Sequence, residues 1–199
     1  MLNILTVCTG NVCRSPMAAQ ILATRLAGLQ VRVSSAGTWA RNGMPMTSDA
    51  VALATRRGVA PPIAAAHRAQ LLTESHLRDA DLLLGMSREH RRAIVELAPS
   101  ATRRTFTLRE FARLCAALTD DDIRAAGSSS EGPPDPALRL QLMLSFIVAR
   151  RGLHSGTVAG MSDDVVDPYG RPAEIYEQSA RESEPGLEAV ERIVRLAFE

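Results

Sequence analysis

Short apolar runs alternate in the first half of the chain with stretches in which apolar residues recur at helical spacing. Residues 2–7 form an apolar run that predicts a buried central strand. Residues 17–26 carry apolar side chains at helical spacing and predict a helix, and residues 31–37 predict a second strand. A strand–helix–strand unit of this length predicts a parallel pair of strands with a right-handed crossover.

The alternation continues to about residue 118. Further strands are predicted at 81–86 and 103–106, and helices at 46–57, 88–98 and 108–118. This order predicts an α/β fold, an open and mostly parallel four-stranded sheet flanked by helices in three α/β/α layers. Ligands bind such sheets beyond the carboxyl ends of the strands, which is where residues 8–14 lie.

The pattern changes after residue 118. We expect a polar loop at 127–136, a core or interface helix at 138–149, a loosely structured stretch at 152–164, a sharp turn at 165–170 and a last amphipathic helix from about 188 to 198. Residues 1–199 are expected to form a single domain with a helical and loop insertion at about 115–162. The insertion is expected to cover the site as a lid, to pack on the sheet or to form the face of a homodimer.

Composition places the chain among soluble globular proteins. Apolar residues make up 46%, charged residues 23%, and the formal net charge is +1, so we expect no nucleic acid and no anionic membrane as a partner. The chain contains arginine but no lysine, which excludes a Walker-type nucleotide loop because that loop needs lysine. Three cysteines do not make a secreted disulfide framework, and no signal peptide or membrane span is indicated. We therefore expect a cytoplasmic protein.

The candidate chemistry lies between the first strand and the first helix. Five residues separate Cys8 from Arg14, which is the plan of a loop that wraps a phosphate with inward N–H groups, a helix N-terminus and an arginine fork. The spacing alone is weak evidence, but Gly10 and Asn11 suit tight turns and Ser15 suits a helix cap. The structural alternative is a buried cysteine at the end of a strand.

A thiolate at Cys8 is predicted to be the nucleophile, favoured by the loop N–H groups and by Arg14. Its attack on a phosphomonoester would give a cysteinyl-phosphate, and the leaving oxygen then needs an acid. Asp167 is the candidate, because a proline follows it in a rigid turn and Tyr169 offers an aromatic wall. Asp135 is also followed by proline and is the rival, but it lies in a linker rich in Gly, Ser and Pro.

These residues and several shorter segments resemble the low-molecular-weight protein tyrosine phosphatases. Members share a C-x5-R-S loop near the N-terminus and an Asp-Pro loop near the C-terminus, and the resemblance covers residues 1 to about 114 and about 165 to the end. The other matching segments are Ser-Ala-Gly-Thr at 35–38, Leu-Thr at 72–73, Ala-Asp-Leu at 80–82, Phe-Thr-Leu at 106–108 and Asp-Pro-Tyr-Gly at 167–170.

The resemblance implies roles for single residues. It implies Cys8 as the nucleophile, Arg14 as the phosphate clamp and Asp167 as the general acid, with no metal or organic cofactor. The loop residues expected to bind phosphate or to support the loop are Thr9, Gly10, Asn11, Val12, Cys13 and Ser15. A reversible disulfide between Cys8 and Cys13 would protect the nucleophile from over-oxidation; the alternative for Cys13 is a small buried apolar residue.

Val12, Trp39 and Tyr169 are the candidate pocket residues. Together they predict an apolar slot for a phenyl ring, which indicates a phosphotyrosine-containing protein as the substrate. Related bacterial protein-arginine phosphatases resemble the chain closely but typically have threonine at the position of Val12. Valine therefore favours phosphotyrosine, and phosphoarginine stays the alternative.

Two other functions fit the same loop less well. A thiol-coupled arsenate reductase needs a relay of further cysteines, and Cys115 is solitary. A binding or scaffolding module that uses the insertion is disfavoured by the intact set of Cys8, Arg14 and Asp167. The four histidines have no metal-ligand spacing and are predicted to be surface or capping residues.

Overall fold

Four parallel strands form the sheet, as the alternation of elements predicted. The computed structural model describes residues 1–128, 135–151 and 162–199. The strands are β1 (Leu2–Cys8), β2 (Val31–Gly37), β3 (Leu82–Gly85) and β4 (Thr105–Thr107), in the spatial order β2–β1–β3–β4. Because β1 pairs with β2 on one side and β3 on the other, its carboxyl end lies in the middle of the sheet edge.

Helices cover both faces of the sheet, which confirms the three layers. The described helices are α1 (Arg14–Arg25), α2 (Ser48–Arg56), α3 (Pro61–Ala66), α4 (Glu74–Arg78), α5 (Arg88–Leu97), α6 (Leu108–Ala116), α7 (Asp120–Gly127), α8 (Pro136–Ala149) and α9 (Ala173–Ala197), with a 3₁₀ helix (Pro99–Arg104) before β4. Ile4 belongs to a large buried cluster with α1–α3 and α6–α9, while Leu5 belongs to a smaller one with α4, α5 and the 3₁₀ helix. Adjacent residues of β1 thus point to opposite faces of the sheet and pack against different helical layers.

Helix α9 is longer than predicted, because the apolar pattern identified only its C-terminal part. The buried stripe of the earlier part contains Ser179, Ser183 and Gly186, and small or polar residues give no apolar periodicity. A Cβ at Gly186 would lie 2.5 Å from Cγ of Leu108. The glycine therefore allows α9 to pack closely against the start of α6.

The described part of the predicted insertion packs into the larger cluster. Its buried apolar residues include Ile123 of α7 and Leu140, Met143, Leu144 and Ile147 of α8. The apolar segment at 138–149 is therefore a core helix. The predicted loops at 127–136 and 152–164 lie largely outside the described residues. Within 1–128, 135–151 and 162–199, no helix combines the length and the apolar character that a membrane crossing requires.

Candidate active site

The loop between β1 and α1 bends around the sulfur of Cys8. The backbone of Asn11 is left-handed, with φ of 54°, and its N–H donates to Cys8 Sγ over 3.3 Å. Ser15 Oγ donates to the same sulfur over 3.0 Å. The prediction that Ser15 caps α1 is wrong, because the helix begins at Arg14 without a side-chain cap and the Ser15 hydroxyl serves the sulfur instead.

The buried side chain of Asn11 ties the loop to two neighbouring segments. Its Nδ2 donates to Ser15 Oγ over 3.0 Å and to Ser35 Oγ over 2.9 Å, and its Oδ1 accepts from the N–H of Gln70 over 2.9 Å. At Gly37 a Cβ would lie 2.4 Å from the carbonyl oxygen of Thr9. The loop therefore rests directly on the end of β2, where there is no room for a side chain.

Arg14 and Asp167, the predicted clamp and the predicted acid, meet at the mouth of the loop. Arg14 is 6% exposed, and its Nη2 lies 2.6 Å from Asp167 Oδ2. Its Nη1 donates to the carbonyl oxygen of Val165 over 3.2 Å. Asp167 Oδ1 accepts from the N–H of Tyr169 over 3.2 Å, so both oxygens of this carboxylate are engaged.

We call the segment around Asp167, residues 162–171, the acid loop, after the role predicted for Asp167 from the sequence. The N–H of Val165 donates to the carbonyl oxygen of Met86, just beyond β3, over 2.8 Å. The N–H of Val166 donates to Glu182 Oε2 of α9, also over 2.8 Å. Glu182 lies 3.5 Å from Arg109 of α6, so two helices and the sheet edge hold the acid loop in place.

A pocket of about 550 Å³ connects the phosphate loop with the acid loop. Its polar floor contains Cys8, Arg14 and Asp167, and its walls are Thr9, Gly10, Val12, Cys13, Trp39, Arg41, Met44, Pro45, Met46, Thr47 and Tyr169. Trp39 is 82% exposed and Tyr169 is 63% exposed. The structure thus brings the three predicted chemical residues and the three predicted slot residues to one concave site.

The family model described as low molecular weight phosphotyrosine protein phosphatase matches residues 3–123, the part that contains the whole sheet and the phosphate loop. The chain belongs to this family. It is accordingly a hydrolase, a cysteine-based protein phosphatase, and phosphoproteins are its substrates. The open parallel α/β fold predicted from the sequence is the fold of its phosphatase relatives.

Relatives with two different named activities resemble this phosphatase. The protein-arginine-phosphatase of Geobacillus stearothermophilus is 31% identical over 92% of this chain and 88% of its own length. The probable low molecular weight protein-tyrosine-phosphatase EpsP of Ralstonia solanacearum is 43% identical over 54% of this chain and 71% of its own.

Solved structures named for each of these two activities also resemble this chain. The YwlE arginine phosphatase of G. stearothermophilus superposes with a TM-score of 0.65 at 29% identity, covering 96% of this chain and 91% of the other. The low molecular weight protein tyrosine phosphatase of T. tengcongensis gives 0.64 at 28% identity, covering 96% and 97%.

His90 is part of the phosphatase site that sequence reasoning missed. It is 3% exposed, its Nε2 lies 2.9 Å from Thr9 Oγ1 and its Nδ1 lies 2.8 Å from Ser87 Oγ. Burial, with a further contribution from the positive charge of Arg14, lowers the pKa of His90 to about 4. A neutral imidazole therefore links the phosphate loop to the start of α5.

The prediction of surface or capping roles for the histidines is wrong for His90 and for His67. His67 is half-buried, its Nε2 lies 2.8 Å from the carbonyl oxygen of Asn11, and burial lowers its pKa. His76 does cap α4, since its Nδ1 accepts from the N–H of Thr73, and His154 lies outside the described residues. In the sequence, only the position of His90 indicated a role at the site, because His90 follows closely after the carboxyl end of β3.

Cys13 is a buried free thiol beside the pocket. Its Sγ lies 3.4 Å from Thr47 Oγ1 and 3.7 Å from the hydroxyl of Tyr176. Burial raises the pKa of Cys13, more than these hydroxyls lower it. The thiol is thus protonated at neutral pH, and the predicted disulfide with Cys8 stays a prediction.

Asp135 lies at the start of α8, where it acts as the N-cap and accepts from the N–H of Ala137 over 3.0 Å. Its side-chain oxygen satisfies a helix N-terminus, whereas Asp167 lines the pocket. The geometry therefore favours Asp167 over Asp135 as the acid.

Proposed function

We propose that this phosphatase hydrolyses phosphotyrosine in proteins through a cysteinyl-phosphate, with Cys8 as the nucleophile, Arg14 as the phosphate clamp and Asp167 as the general acid. The observation that supports it best is the meeting of these three side chains in a pocket whose remaining walls are mostly apolar. A phosphate on the floor and an aromatic ring between the walls would satisfy both parts of the pocket.

In the first step, the thiolate of Cys8 attacks phosphorus as the bond from phosphorus to the phenolic oxygen breaks. Asp167 gives its proton to that oxygen, while Arg14 and the loop N–H groups stabilise the equatorial oxygens. In the second step, Asp167 takes a proton from water, the water oxygen attacks phosphorus and the bond to sulfur breaks. Ser15 Oγ, 3.0 Å from the sulfur, donates to the departing thiolate.

Substrate binding would rearrange the ion pair between Arg14 and Asp167. A dianionic phosphate competes for the guanidinium that now binds Asp167 Oδ2 over 2.6 Å. Once phosphate takes the guanidinium, the carboxyl group is free to turn to the leaving oxygen and to carry a proton. The phosphate group of the substrate would therefore release the proposed acid, which then protonates the leaving oxygen of the same substrate.

The pocket walls favour an aromatic ester over a phosphorylated guanidinium. A guanidinium carries several N–H donors that need acceptors, and leaving them unpaired in a pocket is costly. The oxygen acceptors among the described lining side chains are the hydroxyls of Thr9, Thr47 and Tyr169 and the carboxylate of Asp167, and Asp167 is already assigned to proton transfer. Val12, Trp39 and Tyr169 offer apolar surface instead.

Parallel turnover of two peptides tests the proposal. The peptides share one sequence and carry either phosphotyrosine or phosphoarginine, and we expect a higher kcat/KM with phosphotyrosine. Cys8→Ser should abolish turnover of both peptides while phosphate binding persists. A preference for phosphoarginine would overturn the substrate, and turnover by Cys8→Ser would overturn the nucleophile.

Phosphoarginine is the second candidate, because the similarity to the arginine phosphatase of G. stearothermophilus extends over 92% of the chain. We propose Val12 as the residue that decides between the two, since its side chain lines the pocket. Val12→Thr adds a hydroxyl acceptor there and should shift the kcat/KM ratio towards phosphoarginine. An unchanged ratio would show that another residue sets the choice.

The proposal also covers the organisation and setting of the enzyme. We propose that residues 1–199 act as one phosphatase domain, because α7 and α8 share the buried cluster of the sheet. Its three cysteines are free thiols, which suits the reducing cytoplasm. A homodimer through the 115–162 region stays part of the proposal, and light scattering at several protein concentrations would test it.

A further inference from the structure

Arg41 stands at the rim of the pocket and is exposed. In the part of the chain that the structure describes, no carboxylate forms an ion pair with it. The other arginine of the pocket, Arg14, is paired with Asp167. The rim therefore carries one positive charge available to a group from outside.

The segment that carries Arg41 is fixed to the site through its backbone. The N–H of Trp39 donates to the carbonyl oxygen of Thr9 over 2.9 Å, so the segment is anchored on the phosphate loop itself. Beyond Arg41, the N–H of Gly43 donates to the carbonyl oxygen of Ala69 over 2.9 Å. These hydrogen bonds lie on both sides of Arg41 and hold its Cα in place relative to Cys8. Less conformational entropy is therefore lost when a ligand binds to Arg41.

Two large aromatic side chains lie exposed at the same pocket as Arg41. Trp39 and Tyr169 are both mostly exposed at the pocket mouth, where Met44 is 45% exposed as well. Exposed aromatic surface beside a pocket is typical of places that contact a partner. A peptide chain that delivers its phosphorylated side chain to the floor must cross this rim.

We propose that Arg41 is a specificity residue that makes this phosphatase prefer phosphotyrosine flanked by acidic residues. The inference rests on the proposed function. A Glu or Asp close in sequence to the phosphotyrosine would pair with the Arg41 guanidinium while the ring fills the slot. One exposed ion pair predicts a gain of about two- to fivefold in kcat/KM per acidic residue, mainly through KM.

Three phosphotyrosine peptides test this, identical except that the flanking positions carry Glu, Gln or Lys. We expect kcat/KM to fall in that order for the natural enzyme, and added salt to reduce the differences. Arg41→Glu should reverse the order. Arg32→Glu is the matched control, because Arg32 is exposed near the other end of β2; it should leave the order and the rates unchanged.

The results that would contradict the role of Arg41 differ from those that would contradict the proposed function. Equal rates on the three peptides, or an order that survives Arg41→Glu, would overturn the role of Arg41 and leave the proposed function standing. Reversal of the order by Arg32→Glu would show a general field effect rather than a contact at the rim. Turnover of none of the three would overturn the proposed function and with it this inference.

Discussion

At the scale of single residues, Asp167 is bound on both sides before a substrate arrives. Arg14 holds Oδ2 and the N–H of Tyr169 holds Oδ1, while 51% of the side chain remains exposed. This combination fits a group that must be aimed accurately and must still exchange protons with water. The same side chain serves as the partner of a buried cation and as the proposed proton donor.

Removal of this carboxyl group should affect substrates unequally. With Asp167→Ala, kcat on phenyl phosphate should fall about a hundredfold, and kcat on p-nitrophenyl phosphate much less, because nitrophenolate leaves without a proton donor. Steady-state rates over a series of substituted phenols measure the dependence. Asp135→Ala is the control and should behave as the natural enzyme; the same leaving-group dependence there would move the acid to Asp135.

At the scale of elements, the acid loop depends on α9, the helix that follows it, and on α6, which is distant in the sequence. Glu182 of α9 accepts from the N–H of Val166 and lies beside Arg109 of α6. Arg113 of α6 pairs with Asp163 over 3.0 Å. Because Gly186 allows α9 to pack closely on α6, the packing of these two helices places the carboxylates and guanidiniums that hold the loop.

Loss of the Glu182 carboxylate should loosen the acid loop without disturbing the phosphate loop. Glu182→Ala is expected to lower kcat on phenyl phosphate about threefold to tenfold, since small displacements of a catalytic group are costly. The inhibition constant for vanadate should stay close to that of the natural enzyme. Glu177→Ala on the same helix, which loses the pairs with Arg56 and Arg57, should leave kcat intact; an equal loss in both variants would contradict the assigned role of Glu182.

At the scale of the whole molecule, the buried neutral His90 makes stability depend on pH. Its pKa is about 4 in the folded protein and about 6.5 when unfolded, so only the unfolded chain binds this proton between these values. The free energy of unfolding should therefore fall as pH drops from about 6.5 to about 4, by up to about 3 kcal/mol from this residue.

The measurement is urea unfolding at several pH values. His90→Gln lacks the titrating group and should show a weaker fall over the same window, although His67 and the carboxylates still contribute. The difference between the two curves isolates His90. Curves that remain parallel from pH 7 to pH 4 would contradict the buried neutral histidine.

Much of this architecture is predictable because it depends on neighbours in sequence. The strand before Cys8, the turn at Asn11 and the helix after it follow from local apolar spacing and backbone preference, and the pocket follows because parallel strands end at one edge. The earlier part of α9 was missed because Ser179 and Ser183 occupy its buried face. His90 was missed because its partner Thr9 is distant in sequence, and such pairing depends on tertiary packing.

The ion pair at the mouth of the phosphate loop has a consequence for the end of the catalytic cycle. When inorganic phosphate departs, Arg14 would be left as a bare charge at a place that is only 6% exposed, and a buried unpaired charge is strongly unfavourable. Because Asp167 pairs with Arg14 over 2.6 Å, product release would exchange one ion pair for another. The carboxylate should also compete with free anions for the loop and so lower inhibition by phosphate and sulfate, whereas the proposed substrate binds through its ring as well.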